Sequence, residues 1–238
     1  MKPMRVEIWS DVVCPWCYIG KRRFESALAS FKYRDQVEIV WKSFQLDPGA
    51  PRTSDLSLDE MLSKKYGMSR EKAAAANARV TSLAAQEGLD YHLDQARPGN
   101  TFDAHRLIHL AAAHGKQGEM KERLMRAYFT EGQPIGEVET LVKLAAEVGL
   151  DAEVARAVLA SDTYANEVTA DEREARQLGI TGVPFFVIDE KYGISGAQPG
   201  ELIQQALEQA WAESRPLIQV SSASAEDAGG CDGDSCAI

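Results

Sequence analysis

Two cysteines separated by a proline and a tryptophan, Cys14-Pro15-Trp16-Cys17, stand where the chain changes its hydrophobic period. Upstream, residues 4 to 13 put Met4, Val6 and Ile8 on one side of an alternating strand pattern that turns at Ser10 and Asp11. Downstream, Phe24, Leu28 and Phe31 recur at helical spacing with basic residues opposite, and Pro15 suits the first turn of that helix. Residues 37 to 46 alternate again, from Val37, Ile39 and Trp41 to Phe44 and Leu46, and predict a second strand. The result is a βαβ unit with a dithiol at its first strand-to-helix junction. Unpaired N–H groups and the dipole at a helix N-terminus stabilise an anion, so a thiol placed there ionises readily and attacks disulfides. Cys14 is the candidate nucleophile, and Cys17, about one turn further on the same face, is the candidate resolving thiol. Half of a structural zinc site, or two inert core thiols, would fit this strand-to-helix context less well.

Asp47-Pro48-Gly49-Ala50-Pro51 breaks the chain, and no strand pattern of any length returns until about residue 180. Helical patterns fill the interval, with Gly88, Gly115, Gly149 and Gly179 at C-cap positions, and LDYHL at 89–93 is a candidate extended segment. ITGVPFFVID then predicts a strand, residues 192–196 a turn into another short strand, and residues 199–213 a last helix. The expected organisation is α/β: a discontinuous core of residues 1–46 and 180–213, an all-helical insertion of 47–179, and a flexible tail of 214–238. The tail is rich in Ser, Ala, Gly and Asp, and burial there cannot offset the entropy of ordering it. It nevertheless carries Cys231 and Cys236, half of the four cysteines in the chain, at a spacing that can close a small ring. They are expected to form an accessory redox pair, with a metal-binding clip as the other role such residues could take.

Composition removes several classes of function. With 26 basic and 36 acidic residues the net charge is −10, so no global field attracts nucleic acid or an anionic lipid surface. No apolar run approaches the ~20 residues of a membrane helix. The first ten residues run straight into a strand pattern without the apolar segment and cleavage site of a secretory signal, so a cytoplasmic location is expected. Four cysteines in 238 residues are too few for a disulfide scaffold, which in a reducing compartment points to redox or metal chemistry.

Three further positions invite a role. Pro184 opens a strand although proline lacks the N–H a sheet needs; a cis Val183–Pro184 bond would explain it, but X-Pro bonds are usually trans and the residues alone leave the isomer open. Trp16 either packs blandly or covers a substrate segment beside the reactive sulfur. His105 and His109 lie four apart on a predicted helix, a spacing that could hold a metal. No third ligand of the right kind is near in sequence, so packing or hydrogen bonding is the expected role and no metal is expected.

On IWSDVVCPWCYIGKRRFE, NTFDAHRLIHLA (100–111), and GITGVPFFVID followed by GISGAQP, the chain resembles the DsbA-like branch of the thioredoxin superfamily. Within it the resemblance is to FrnE-type dithiol oxidoreductases, relatives of 2-hydroxychromene-2-carboxylate isomerases and kappa-class glutathione transferases. It covers residues 4 to about 213 and implies a thioredoxin fold with a large helical insertion, Cys14 attacking, Cys17 resolving, and Pro184 cis opposite them. It also implies that the Val183 backbone offers hydrogen bonds to an extended substrate, and that Asn100 and His105 lie near the groove, His105 helping to position substrate. The glutathione-using isomerases usually carry Ser where this chain has Cys14, which favours dithiol exchange here.

The expected function is thiol–disulfide exchange, with disulfide isomerisation, on protein thiols and disulfides. No organic cofactor is required, since the reducing equivalents reside in the dithiols; glutathione as co-substrate, or a thioredoxin system, could recharge them. A glutathione-dependent isomerase or transferase of small aromatic compounds, and a metal-binding or redox-sensing module, are the alternatives. The apolar residues of the insertion could equally serve a core or the face of a homodimer.

Overall fold

In chain order the elements are β1 (Met4–Ser10), α1 (Pro15–Ser30), β2 (Val37–Ser43), α2 (Leu58–Tyr66), α3 (Arg70–Gln86) and α4 (Phe102–Ala113). There follow α5 (Gln117–Phe129), α6 (Val138–Glu147), α7 (Ala152–Leu159), α8 (Ala165–Gln177), β3 (Phe185–Ile188), β4 (Tyr192–Ser195) and α9 (Gly200–Glu213). The computed structural model describes residues 3–214. Cys231, Cys236 and the expected tail beyond Ser214 lie outside the described residues.

The strands form one sheet in the order β2-β1-β3-β4. β1 pairs in parallel with β2, from Met4 opposite Val37 to Ser10 opposite Ser43, and antiparallel with β3, Ile8 opposite Phe186. A parallel pair needs a crossover connection, which α1 supplies. The alternation in β1 divides its side chains between the two faces of the sheet. Val6 and Ile8 enter the main core beneath α1 and α9, where Trp211 stacks on Tyr33 with ring centroids 4.2 Å apart. Trp9 points the other way, packs with Ala175 and Ile180, and donates its indole N–H to the Asp171 carbonyl at 3.0 Å.

Seven helices, α2 to α8, lie between β2 and β3. They do not form a detached body: one buried cluster runs from Val6 and Ile8 through Leu107, Leu124 and Phe129 to Leu141 and Leu144. The main corrections to the sequence reading are at strand ends. β2 stops at Ser43 rather than Leu46 because the next amides are claimed by side chains, Gln45 N–H donating to Glu172 Oε1 (3.2 Å) and Leu46 N–H to Asp11 Oδ2 (2.8 Å). Residues 89–93 form no strand; their His92 N–H donates instead to the Phe129 carbonyl at 2.7 Å. Helix ends follow the glycines: at Gly115 φ is 68° and the Lys116 amide returns to the Ala111 carbonyl at 2.8 Å. Among the described residues no helix is long and apolar enough to cross a membrane.

Candidate active site

The turn after β1 places the dithiol. Cys14 is the N-cap of α1, its N–H donating to the Asp11 carbonyl (3.3 Å), and Pro15 occupies the first turn without sacrificing a hydrogen bond. The Cys17 N–H closes that turn on the Cys14 carbonyl at 3.0 Å. Immediately before β3, the strand paired with β1, comes Val183–Pro184, whose peptide bond is cis, and the Cys14 thiol donates to the Val183 carbonyl at 3.5 Å. Gly20 permits this approach: a Cβ there would lie 2.9 Å from Pro184 Cγ, inside van der Waals contact.

Cys14, but not Cys17, lines a cavity of about 570 Å³ between the dithiol and the inserted helices. Its near wall is Cys14, Pro15, Trp16, Gly182 and Val183; its far wall is the Leu46–Pro51 segment with Leu58, Met61 and Leu62 of α2; Leu93, Tyr128 and Phe129 close it further. Trp16, 43% exposed, stands at this cavity with the exposed Leu46 and Tyr66. Asn100 holds the far wall in place, its side-chain amide donating to the Pro48 and Ala50 carbonyls at 3.1 Å each.

The two thiols titrate together. The hydrogen bond to Cys17, followed by burial, holds the Cys14 thiol protonated well above its ordinary range. Burial pushes Cys17 up, but the same hydrogen bond, the Lys121 ammonium and the Ser10 hydroxyl outweigh it and bring Cys17 down. Its place at the helix N-terminus therefore does not leave Cys14 ionised: Cys14 keeps its proton, Cys17 gives its own up more readily, and the sulfur open to the cavity is that of Cys14.

His105 does not face the cavity. It is 1% exposed, and its Nε2 lies 3.3 Å from Asp11 Oδ1. Burial pushes its pKa down despite that carboxylate, while Asp11, which burial would raise, is held low by His105 and the Leu46 amide. A neutral imidazole donating Nε2–H to a carboxylate fits both shifts, so His105 anchors the turn before Cys14 rather than touching a substrate. His109 turns to a different carboxylate, Asp171 Oδ2 at 3.1 Å, and to Ser43 Oγ at 3.0 Å. The helical spacing of the two histidines thus serves two separate anchors.

Sequence reasoning passed over Lys121 and Asp11. Lys121 is fully buried, with Nζ donating to the Ser10 carbonyl at 3.0 Å. The signal was present: in α5, Lys121 sits four residues before Met125, on the buried face where an apolar residue is expected.

This placing of a dithiol on the first turn of a helix, against a four-stranded mixed sheet and a cis-proline peptide, defines a thioredoxin-like protein. Residues 5–208 match the DSBA-like thioredoxin domain, and the chain belongs to that family, one of thiol oxidoreductases and isomerases. It is 51% identical to a probable DsbA oxidoreductase from Streptomyces coelicolor, whose crystal structure superposes with a TM-score of 0.86 over 99% of each chain. It is 31% identical to the uncharacterised protein YwbO of Bacillus subtilis, over 86% of this chain and 96% of that one. The cytosolic disulfide reductase DsbM of Pseudomonas aeruginosa, solved with glutathione, shares the fold at 17% identity and a TM-score of 0.59, over 88% and 96% of the two chains.

Proposed function

We propose that this protein is a FrnE-type dithiol oxidoreductase that exchanges and isomerises disulfides of protein substrates through Cys14 and Cys17. The observation that carries this reading is the Cys14 sulfur, open to an apolar cavity and within 3.5 Å of the Val183 carbonyl, with Cys17 sealed behind it. As Cys14 attacks a substrate disulfide, its proton passes to Cys17, a Cys14–substrate bond forms and the first substrate sulfur leaves as a thiolate. That thiolate takes the proton back from Cys17. The Cys17 thiolate then attacks Cys14, forming the Cys14–Cys17 disulfide, and the second substrate sulfur departs with the electron pair and is protonated by solvent. The reverse sequence oxidises a dithiol.

The cavity favours a protein segment over glutathione. Lys65 is the one cation among its described lining residues, and it already donates to Asp47 Oδ2 (3.0 Å) and the Leu46 carbonyl (3.2 Å). Glutathione carries two carboxylates and would find no free cation there, whereas Leu58, Met61 and Leu62 suit a large apolar side chain. Glutathione or a thioredoxin system serves instead to recharge the dithiol, in the cytoplasm. Cys231 and Cys236 act as the accessory pair. α9 ends beside Phe31, so its C-terminus lies at the end of α1 remote from Cys14, about 24 Å away at 1.5 Å per residue. Sixteen residues lie between Ser214 and Cys231, and a flexible linker of that length would span roughly 22 Å.

The test is insulin reduction by the full chain. Cys14→Ser is expected to abolish it, and retained activity overturns the assignment. The aromatic part of the cavity wall, Trp16, Tyr128 and Phe129, favours a second reading, a glutathione-dependent isomerase of small aromatic compounds. Turnover of such a compound by Cys14→Ser would support that alternative.

A further inference from the structure

Cys17 is 1% exposed, so the thiolate it must become forms where water cannot stabilise it. The structure supplies a buried cation on the end of β1 that leads to the dithiol, and its charge acts on Cys17. Lys121 arrives from α5, more than a hundred residues further along the chain, and its ammonium is completely buried. Nζ donates to the Ser10 carbonyl at 3.0 Å and lies 5.7 Å from the centre of the Trp41 ring. Among the described residues no carboxylate forms an ion pair with it within 4.0 Å. A buried ammonium without a paired anion is costly, and a structural lysine would be expected to have one. The acidic groups that act on Lys121 are Cys17, Asp11 and Cys14, in that order of strength, with Lys21 opposing them. Asp11 is already engaged by His105 and the Leu46 amide. The Ser10 hydroxyl is buried without a hydrogen-bond partner and lies where it favours the Cys17 thiolate.

We propose that Lys121 is a positioning residue for Cys17: its ammonium, fixed by the Ser10 carbonyl, is the counter-charge against which the resolving thiolate forms. This rests on the dithiol reading above. Lys121 changes no bond in the exchange; it determines how much of Cys17 is ionised when the Cys14–substrate disulfide awaits attack. Burial brings the lysine itself down to about 8, against the pull of the sulfurs, so the pair is responsive near neutral pH. The coupling is reciprocal: whatever Lys121 does for Cys17, the anionic sulfur does for Lys121.

The experiment titrates one thiol. In a chain carrying Cys14→Ser, Cys231→Ser and Cys236→Ser, Cys17 is the one thiol left, and its ionisation is followed by thiolate absorbance in the ultraviolet. Adding Lys121→Met, or Lys121→Gln, is expected to raise the Cys17 midpoint by about one pH unit or more, the usual effect of losing a nearby opposite charge, cutting the thiolate fraction at pH 7 about tenfold. With Cys14 restored, the Cys14–substrate mixed disulfide should accumulate while its formation is less affected. An unchanged Cys17 midpoint in a folded variant overturns the proposal. A measurement on the unmutated chain guards against variants that do not fold: the Lys121 midpoint, followed by NMR, should fall when Cys14 and Cys17 are oxidised to a disulfide. No movement on oxidation overturns the proposal as surely. Failure of insulin reduction to depend on Cys14 would instead remove the dithiol reading, leaving these titrations to stand by themselves.

Discussion

Gly20→Ala sets two physical effects of opposite sign against each other. Gly20 lies inside α1, where alanine is favoured over glycine by about 1 kcal/mol. The new methyl would meet Pro184 Cγ at 2.9 Å, with Ala197 Cβ and Phe186 Cζ at 3.5 Å. Relief to an ordinary contact needs a separation of roughly 0.5 Å between α1 and the Val183–Pro184 segment, and overpacking of this kind costs about 1–3 kcal/mol. The net expectation is a loss of about 1 kcal/mol, or about 2–4 °C in Tm for a chain of this size. The same displacement widens the 3.5 Å approach of the Cys14 thiol to the Val183 carbonyl, so insulin reduction should fall about tenfold. Gly118→Ala is the control: its Cβ would meet only Trp41 Nε1 at 3.9 Å, an ordinary contact, so helix propensity alone should act and stability should rise. Urea denaturation and the insulin assay on both variants decide the matter. A Gly20→Ala protein that gains stability and keeps full activity refutes the reasoning, because the helix and the proline segment would then have separated without cost.

Two further expectations concern the supports of the site. His105 is held neutral by burial, below the usual histidine value of about 6.5, so the unfolded chain binds a proton there that the folded chain refuses. Stability therefore falls as pH drops below about 6.5, and falls again as acid reaches Asp11, whose depressed pKa contributes stability only while it stays ionised. His105→Gln, which keeps an N–H for Asp11, should flatten the decline of Tm between pH 7 and 5; identical slopes in both proteins would rule out His105 as its source. Asn100→Ala removes two hydrogen bonds to the Pro48 and Ala50 carbonyls and should loosen the far cavity wall. KM for a protein substrate is expected to rise severalfold while alkylation of Cys14 by a small reagent proceeds at its original rate, and a matching drop in alkylation would show that the loop acts on the thiol instead.

Much of the framework was legible in the chain because it depends on neighbours in sequence. The dithiol at the strand-to-helix junction, Pro15 in the first turn of α1 and the glycine at the end of α4 follow from spacing and backbone preference. The helical patterns between β2 and β3 depend on neighbours in the same way, and in the structure α2 begins at a Ser57–Glu60 capping box and spans Leu58–Tyr66. The cis geometry of Val183–Pro184 was not legible from spacing; it was implied by resemblance.

Only the tertiary structure decided what surrounds the sulfurs. Whether His105 touches substrate or anchors a turn depends on Asp11, 94 residues away, and whether Lys121 is solvated or buried depends on Ser10 and Trp41. The alternation that predicts a strand to Leu46 is real, but Asp11 and Glu172 take the amides that would have extended the ladder. Periodicity records which face of an element is covered. The group that covers it, and the charge that group carries, come from segments brought together by packing, and those determine the ionisation of Cys14 and Cys17.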